Sequence, residues 1–261
     1  MSTINQSPRL QLGDAPLVGY AGSETDQFAL IWQTIGSLTT DEFIVEYRAV
    51  GDSEWLAGPT PSTIDTGVGD RINHTVTITG IPYDADYEYR VRHFIDGSLI
   101  ETYQASFQTR LAVGDTSGFT FAAYGDSADA RNNQGFRNVQ AQINQFDPSF
   151  VLSLGDQEQT QGSHDDYDYR FSPSLAPEAA EWTSEHIDFV AYGNHDNRVD
   201  NGQPYRDSFE VPIPVAGVDS PSEPRNQLPE LSYSFDYGNV HFATFDSNTL
   251  YDPAALDADL D

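Results

Sequence analysis

From Arg9 to Arg110 apolar and polar positions alternate with period two, and turn-forming residues interrupt the pattern every ten or so positions. Successive side chains on a strand point to opposite faces, so this alternation predicts half-buried strands, and their number and spacing predict an all-β sandwich. Phe28, Leu30 and Trp32 share one face. Phe43, Val45 and Tyr47 alternate with Ile44, Glu46 and Arg48; Val76 and Ile78 alternate with threonines; Tyr87, Tyr89 and Val91 alternate with Glu88, Arg90 and Arg92; Tyr103, Ala105 and Phe107 mark a last strand. After a glycine-containing linker, Leu111 to Gly118, the grammar changes. Three runs, Phe119 to Tyr124, Phe150 to Leu154 and Ile187 to Tyr192, are apolar on both alternations, as strands covered on both faces are. Between the first two, Phe136, Val139, Ile143 and Phe146 recur at helical spacing within Asn133 to Phe146, and Asp147-Pro148 stops the helix. Pro177 to Glu185 predicts another helix before the third run. Strand, helix, strand repeated implies a mostly parallel sheet, whose ligands gather beyond the carboxyl ends of its strands.

At 261 residues, against roughly 150 per domain, the chain is expected to form two units, a β-sandwich over 9–112 and an α/β unit over 119–261. Charge narrows the partners. Twelve basic residues, all arginine, face 41 carboxylates, for a net charge of -29. Such a surface repels phosphate backbones and anionic lipid, which excludes duplex nucleic acid as a partner and means that a phosphate-bearing substrate needs a cation to receive it. With no cysteine there is no thiolate nucleophile and no disulfide framework. Residues 1–30 carry no basic segment followed by an apolar one, and no run approaches the length of a membrane span. The composition fits export by a non-classical route to the extracellular space or periplasm, or alternatively the cytoplasm of a halophile.

The candidate chemistry lies where the three apolar runs stop. Each ends in glycine followed by an oxygen side chain: Gly125-Asp126, Gly155-Asp156 and Gly193-Asn194. Carboxylate and amide oxygens are hard ligands, suited to Mg²⁺, Mn²⁺, Fe or Zn²⁺, and a carboxylate on the middle strand can bridge two ions roughly 3.5 to 4 Å apart. Glycine before each ligand frees the backbone for a sharp turn. His195, next to Asn194, is placed to hydrogen-bond a phosphoryl oxygen or protonate a leaving alkoxide.

Trp32 ending a second strand, and Ile81-Pro82 preceding Tyr87 at the spacing of a tyrosine corner, make the first hundred residues similar to a fibronectin type III module. Gly125-Asp126, Gly155-Asp156 and Gly193-Asn194-His195-Asp196 resemble the first three motifs of the calcineurin-like metallophosphoesterases, and the leading β module makes the purple acid phosphatase branch the nearest in kind. The resemblance implies an αββα sandwich and phosphoester hydrolysis by metal-bound hydroxide at a two-metal site. It further implies that Asp126 binds the first ion, Asp156 bridges, Asn194 binds the second, and His195 acts on a small phosphoester substrate. Two positions depart from it. Gln159 stands where the purple branch has its chromophoric tyrosine, and Ala128 where other branches carry a metal-binding histidine. The later histidine motifs of the family are also absent, so the chain is expected to be the N-terminal part of a longer protein, with an amphipathic element beginning at Leu256 and Leu260.

The remaining polar residues read as structural. His74 and His93 are expected on strands at the core edge or in solvent, His186 before a strand, His241 packed within one, and His164 as a solvated loop residue. Tyr167, Tyr169, Arg170 and Phe171 form an aromatic-rich segment that is expected to pack. Asn197 to Leu228 is long enough for a lid, with Arg198 and Arg206 as possible phosphate contacts. A different class of function stays open, a secreted adhesion or scaffold protein whose phosphoesterase-like part no longer binds metal.

Overall fold

The computed structural model describes residues 3–13, 25–36, 40–212, 231–246 and 248. Eight strands open the chain: β1 (Thr3–Gln11), β2 (Asp26–Ile35), β3 (Asp41–Ala49), β4 (Leu56–Ala57), β5 (Ser62–Asp65), β6 (Arg71–Ile81), β7 (Asp86–Ile95) and β8 (Ser98–Gln108). They form two antiparallel sheets, ordered β1-β2-β6-β5 and β4-β3-β7-β8. The period-two pattern faces the sheets toward each other: Phe28 meets Phe107 with centroids 4.6 Å apart, and Trp32 meets Phe43 at 5.4 Å. His74 and His93 are buried in this core rather than at its wet edge. His74 stacks on Trp32 and bonds Thr34 Oγ1 at 2.9 Å, and His93 stacks on Phe43.

The second part contains β9 (Phe121–Tyr124), α1 (Gln134–Phe146), β10 (Phe150–Ser153), α2 (Asp168–Phe171), α3 (Pro177–Glu185), β11 (Ile187–Val190), α4 (Gln203–Ser208), β12 (Tyr233–Tyr237) and β13 (Val240–Thr244). Strands β11, β10 and β9 form a parallel sheet in that order. Strands β10 and β11 are covered on both sides, as their composition requires, whereas on β9 Phe121 is 46% exposed and Ala123 is exposed as well, contrary to the expectation from its apolar run. Ile143 of α1 and Trp182 of α3 pack with Val151 and Ala122 on one face. On the other face the antiparallel hairpin β12–β13 brings Phe235 onto Phe189 at 3.6 Å and Phe242 onto Phe150 at 5.5 Å. Helix, sheet and hairpin make three layers. No second helical layer covers the hairpin among the described residues, so they do not contain the αββα arrangement expected from the sequence. The expected lid lies outside the described residues from 213 onward, as does the amphipathic element at Leu256 and Leu260. The earlier stretch of that lid is ordered, with α4 in it.

The two parts meet along a polar seam. Alternation along β2 predicts one wet face, yet every residue from Asp26 to Thr34 is buried. Asn5 and Gln6 donate to Asp168 Oδ1 at 2.7 and 2.9 Å, and Arg71 donates to Asp168 Oδ2 at 2.8 Å. Gln11 donates to the Asp188 carbonyl at 3.1 Å, Arg9 to that of Ser208 and Asn73 to that of Asp207. Arg110, fully buried, holds Asp26 at 2.6 Å and the Asp236 carbonyl at 2.9 Å. His164 belongs to the same seam. It is buried, with Nε2 2.9 Å from Asp207 Oδ2, which corrects its assignment as a solvated loop residue. Its partner lies 43 positions away, where no local pattern points to it.

Candidate functional site

Pairing sets Tyr124 beside Ser153 and Ser153 beside Val190, so the chain leaves β9, β10 and β11 at one level. One further bond extends each ladder: Leu154 N–H donates to the Tyr124 carbonyl and Ala191 N–H to that of Ser153, both at 2.7 Å. Gly125-Asp126, Gly155-Asp156 and Gly193-Asn194 therefore emerge side by side, with Asp156 from the central strand between the others. Asp156 is tied to both flanks. Its carbonyl accepts from Ser127 N–H at 3.0 Å and its Oδ1 from His195 N–H at 2.9 Å. Asp156 is buried, while Asp126 and Asn194 are exposed. Among the described residues, neither the Asp126 nor the Asn194 side chain is hydrogen-bonded to Asp156 or His195.

The three glycines do different work. Gly155 takes φ +94 and Asp156 after it φ 48, a turn that an L side chain at position 155 resists. Gly193 provides closeness instead: a Cβ there would lie 2.0 Å from Asp156 N and 2.2 Å from Asp156 Oδ1. Gly125 meets neither condition, since its Cβ would make ordinary contact with Leu154 at 3.4 Å; at that strand the left-handed residue is Asp126 itself, φ 54. The conformation alone marks no site, because Asp70, Asp84 and Asp96 adopt it too.

Asp196 fastens together the two loops that carry Asp156 and Asn194. Fully buried, it accepts from Gln157 N–H at 3.1 Å and Gly193 N–H at 2.9 Å, the amides adjoining Asp156 and Asn194, and from Tyr167 Oη at 2.9 Å. Burial pushes its carboxyl up to about 6, the three donors pull back, and the Asp156 charge pushes further upward. Below the sheet Arg170, also fully buried, donates to Asp188 at 2.6 Å, Ser153 Oγ at 2.8 Å, Ser127 Oγ at 2.7 Å and Tyr124 Oη at 3.2 Å. It ties all three strands together. The segment holding Tyr167 and Arg170 thus braces the site rather than merely filling space, and lone Asp188 inside an apolar run was the sequence signal for a buried cation.

His195 is held at both ring nitrogens. Nδ1 lies 2.8 Å from the Gln159 carbonyl, which only accepts, and Nε2 lies 2.6 Å from Arg198 Nη2, which only donates. That arrangement selects the neutral Nδ1–H tautomer, with the Nε2 lone pair directed at Arg198. Nε2 is also 3.9 Å from Asp156 Oδ2. In this state the ring offers an acceptor at Nε2, not the proton expected for a leaving alkoxide. Arg198 also donates to the Thr160 carbonyl at 3.1 Å, whereas Arg206 lies away from the site, bonded to Asn201 and Gln203. Asn248, not singled out from the sequence, joins from beyond β13 by donating to the Gly193 carbonyl at 3.2 Å.

An open cleft of about 440 Å³ adjoins Asp126, lined by Tyr124, Ser127, Asp129, Phe136, Val139 and Gln159 among others, a size in the small-molecule range of roughly 300–1,000 Å³. His186 and His241 stand apart from it, paired with Asp147 at 3.0 Å and Asp236 at 2.8 Å. His241 is exposed on its strand rather than packed. As to metal, no three His, Cys, Asp or Glu side chains gather among the described residues. The neighbouring donors are two carboxylates and an amide, oxygen ligands whose chemistry fits a hard cation.

No family model and no curated protein sequence matches the chain. Among solved structures, the chain is similar to the purple acid phosphatase PPD1 from yellow lupin (Lupinus luteus) seeds, at 18% identity and a TM-score of 0.69, covering 97% of this chain and 48% of that one. It also aligns with the β-glucuronidase of Bifidobacterium dentium (13% identity, TM-score 0.30, 72% and 30% coverage) and the twitchin kinase region of C. elegans (16%, 0.24, 41% and 17%), at TM-scores too low to carry an argument. The chain therefore spans about half the length of the phosphatase structure, and over that span the two are alike in fold.

Proposed function

We propose that this chain is part of a metal-dependent phosphoester hydrolase, with a fibronectin type III-like module over 9–112 and the N-terminal part of a calcineurin-like unit over 119–261. One observation supports the proposal: three parallel strands in register end at one level, so that the loops carrying Asp126, Asp156 and Asn194 leave the sheet side by side, with the Asp156 loop between the others and bonded to both. The distant likeness to a purple acid phosphatase agrees with it.

Asp126 would hold one ion, Asn194 the other, and Asp156 both; the ions supply charge neutralisation and an activated nucleophile. The chain's own residues do the positioning. Asp196 fixes the separation of the loops that carry Asp156 and Asn194, and Gly193 lets those loops touch. Gln159, through its carbonyl, sets the His195 tautomer. Nε2 then lies beside Asp156 with its lone pair engaged by Arg198, and would act as an acid only after release from that bond and gain of a proton. Extracellular or periplasmic location is proposed with the function, from the acidic, cysteine-free composition.

Calorimetry with Mn²⁺ and Zn²⁺ tests the assignment. Asp156→Ala should abolish binding, whereas Asp126→Ala and Asn194→Ala should each weaken one site. Equal effects from all three would refute the bridging role. Wild-type protein that takes up neither ion would leave the non-catalytic scaffold as the better account.

A further inference from the structure

We propose that Arg198 is the substrate-recognition arginine of this site and that it confers a preference for phosphate monoesters over diesters; this rests on the phosphoesterase reading above. In a chain with 41 carboxylates and 12 arginines, a guanidinium has every opportunity to find a carboxylate. Arg48, Arg71, Arg90, Arg92, Arg110, Arg131, Arg137 and Arg170 all do. Arg198 does not. Among the described residues its polar partners are neutral, the Thr160 carbonyl and His195 Nε2, and the side chain is exposed.

Its place gives the spare charge a meaning. One imidazole nitrogen separates Arg198 from Asp156, the carboxylate at the centre of the crevice. Asp126 and Asp156, in a chain of net charge -29, repel an approaching anion, and an unneutralised guanidinium beside them offsets that repulsion. The planar fork of the guanidinium matches two phosphoryl oxygens at once. A monoester carries close to two charges near neutral pH, its second pKa being about 6, and presents three terminal oxygens. A diester has one charge and two such oxygens, so it gains less from the fork. Arg198 is tethered to His195 by a single hydrogen bond to a neutral acceptor, which a phosphate dianion outcompetes. Turning to the phosphate also uncovers Nε2, so one movement seats the substrate and frees the imidazole.

The test reads binding and needs no turnover. Inorganic phosphate and dimethyl phosphate are titrated by calorimetry into wild type, Arg198→Ala, Arg198→Lys and, as a control, Arg206→Ala, each with and without Mn²⁺, after Mn²⁺ affinity has been measured for all four. Wild type should bind phosphate at least tenfold more tightly than dimethyl phosphate. Arg198→Ala should lose most of that preference with unchanged Mn²⁺ affinity, Arg198→Lys should recover part of it, and Arg206→Ala should match wild type. Equal phosphate affinity in wild type and Arg198→Ala overturns the assignment while leaving a metal-binding wild type intact as a phosphoesterase candidate. Wild type that binds no phosphate overturns it as well. Arg198-dependent phosphate binding without Mn²⁺ uptake would uphold anion recognition here and sink the phosphoesterase reading instead.

Discussion

Replacing Gly193 by alanine isolates the contact on which the candidate site depends. The added Cβ would sit 2.0 Å from the Asp156 amide nitrogen, 2.2 Å from its Oδ1 and 2.9 Å from its Cα. Two of those atoms are backbone, so no side-chain rotation relieves the clash, and the β10 and β11 loops must part by about 1.5 Å to restore ordinary contact distances. Overpacking of this kind costs about 1 to 3 kcal/mol, which in a chain of this size lowers Tm by roughly 2 to 10 °C. The separation also breaks the bond from His195 N–H to Asp156 Oδ1, and a misplacement of about 1 Å at a site can cost on the order of 10²-fold in function. Gly193 is not among the positive-φ glycines, so alanine adds no conformational strain there. Gly80 is the converse, with φ +78 and open space around its Cβ position, so Gly80→Ala costs only about 1 to 2 kcal/mol of left-handed strain. Thermal melts in EDTA and Mn²⁺ calorimetry on both variants separate the two effects: Gly193→Ala should lose stability and at least tenfold in Mn²⁺ affinity, Gly80→Ala stability alone. Unchanged Mn²⁺ affinity in a folded Gly193→Ala protein would refute the close-approach argument.

Two buried groups should give pH dependences of opposite sign. Burial pushes His74 down to about 4, with the Asp41 charge opposing and His93 assisting; the unfolded chain binds the extra proton, so about 2 to 3 kcal/mol present above pH 6.5 is lost as pH falls toward 4, and Tm of His74→Phe should lack that acid limb. Asp196 is raised to about 6, so the folded chain binds the extra proton and its contribution, full below about pH 4, is lost as pH rises through 6; in EDTA, the lead of wild type over Asp196→Asn should shrink across that window. Arg110→Ala strands buried Asp26 and should cost about 3 to 5 kcal/mol in chemical denaturation, whereas Arg110→Met with Asp26→Leu should recover much of it; an undiminished loss in the double variant contradicts the stranded-charge account. Molar KCl should raise Tm, because it shortens the Debye length to about 3 Å between carboxylates that outnumber arginines; a flat or falling Tm argues against net self-repulsion.

Both halves of the architecture were legible where periodicity is local. Alternation located β2, β3, β6, β7 and β8 of the two antiparallel sheets but not β1 or the short β4 and β5, doubly apolar runs located β9, β10 and β11, and Pro177 marked the start of α3. Long-range burial was not legible. Gln27, Gln33 and Asn73 look like solvent-facing alternates, yet all three are buried: Asn73 donates to the Asp207 carbonyl of the second part, while Gln33 donates to Asn73 Oδ1 and Gln27 to the Leu12 carbonyl within the first. For the candidate site, three glycine-led strand ends were enough to predict that the loops carrying Asp126, Asp156 and Asn194 leave one edge of a parallel sheet side by side, since parallel strands in register must deliver their carboxyl ends together. The partners of His195 were beyond reach: a backbone carbonyl at Gln159 and a guanidinium three residues on depend on how the loop folds, not on which residues it contains.

The polar seam also bears on the order in which the molecule is made. The ribosome releases β1 to β8 before any of the residues that cover them, and domains generally fold as they emerge. Had the outer face of β1, β2 and β6 been lined with leucine and phenylalanine, the nascent sandwich would have been left with an aggregation-prone surface during that interval. Gln6, Arg9, Gln11, Arg71 and Asn73 hold water on that face instead, and they exchange it for the carbonyls and carboxylates of the later segments when those arrive. The first half is thus wettable while unfinished and dry once complete.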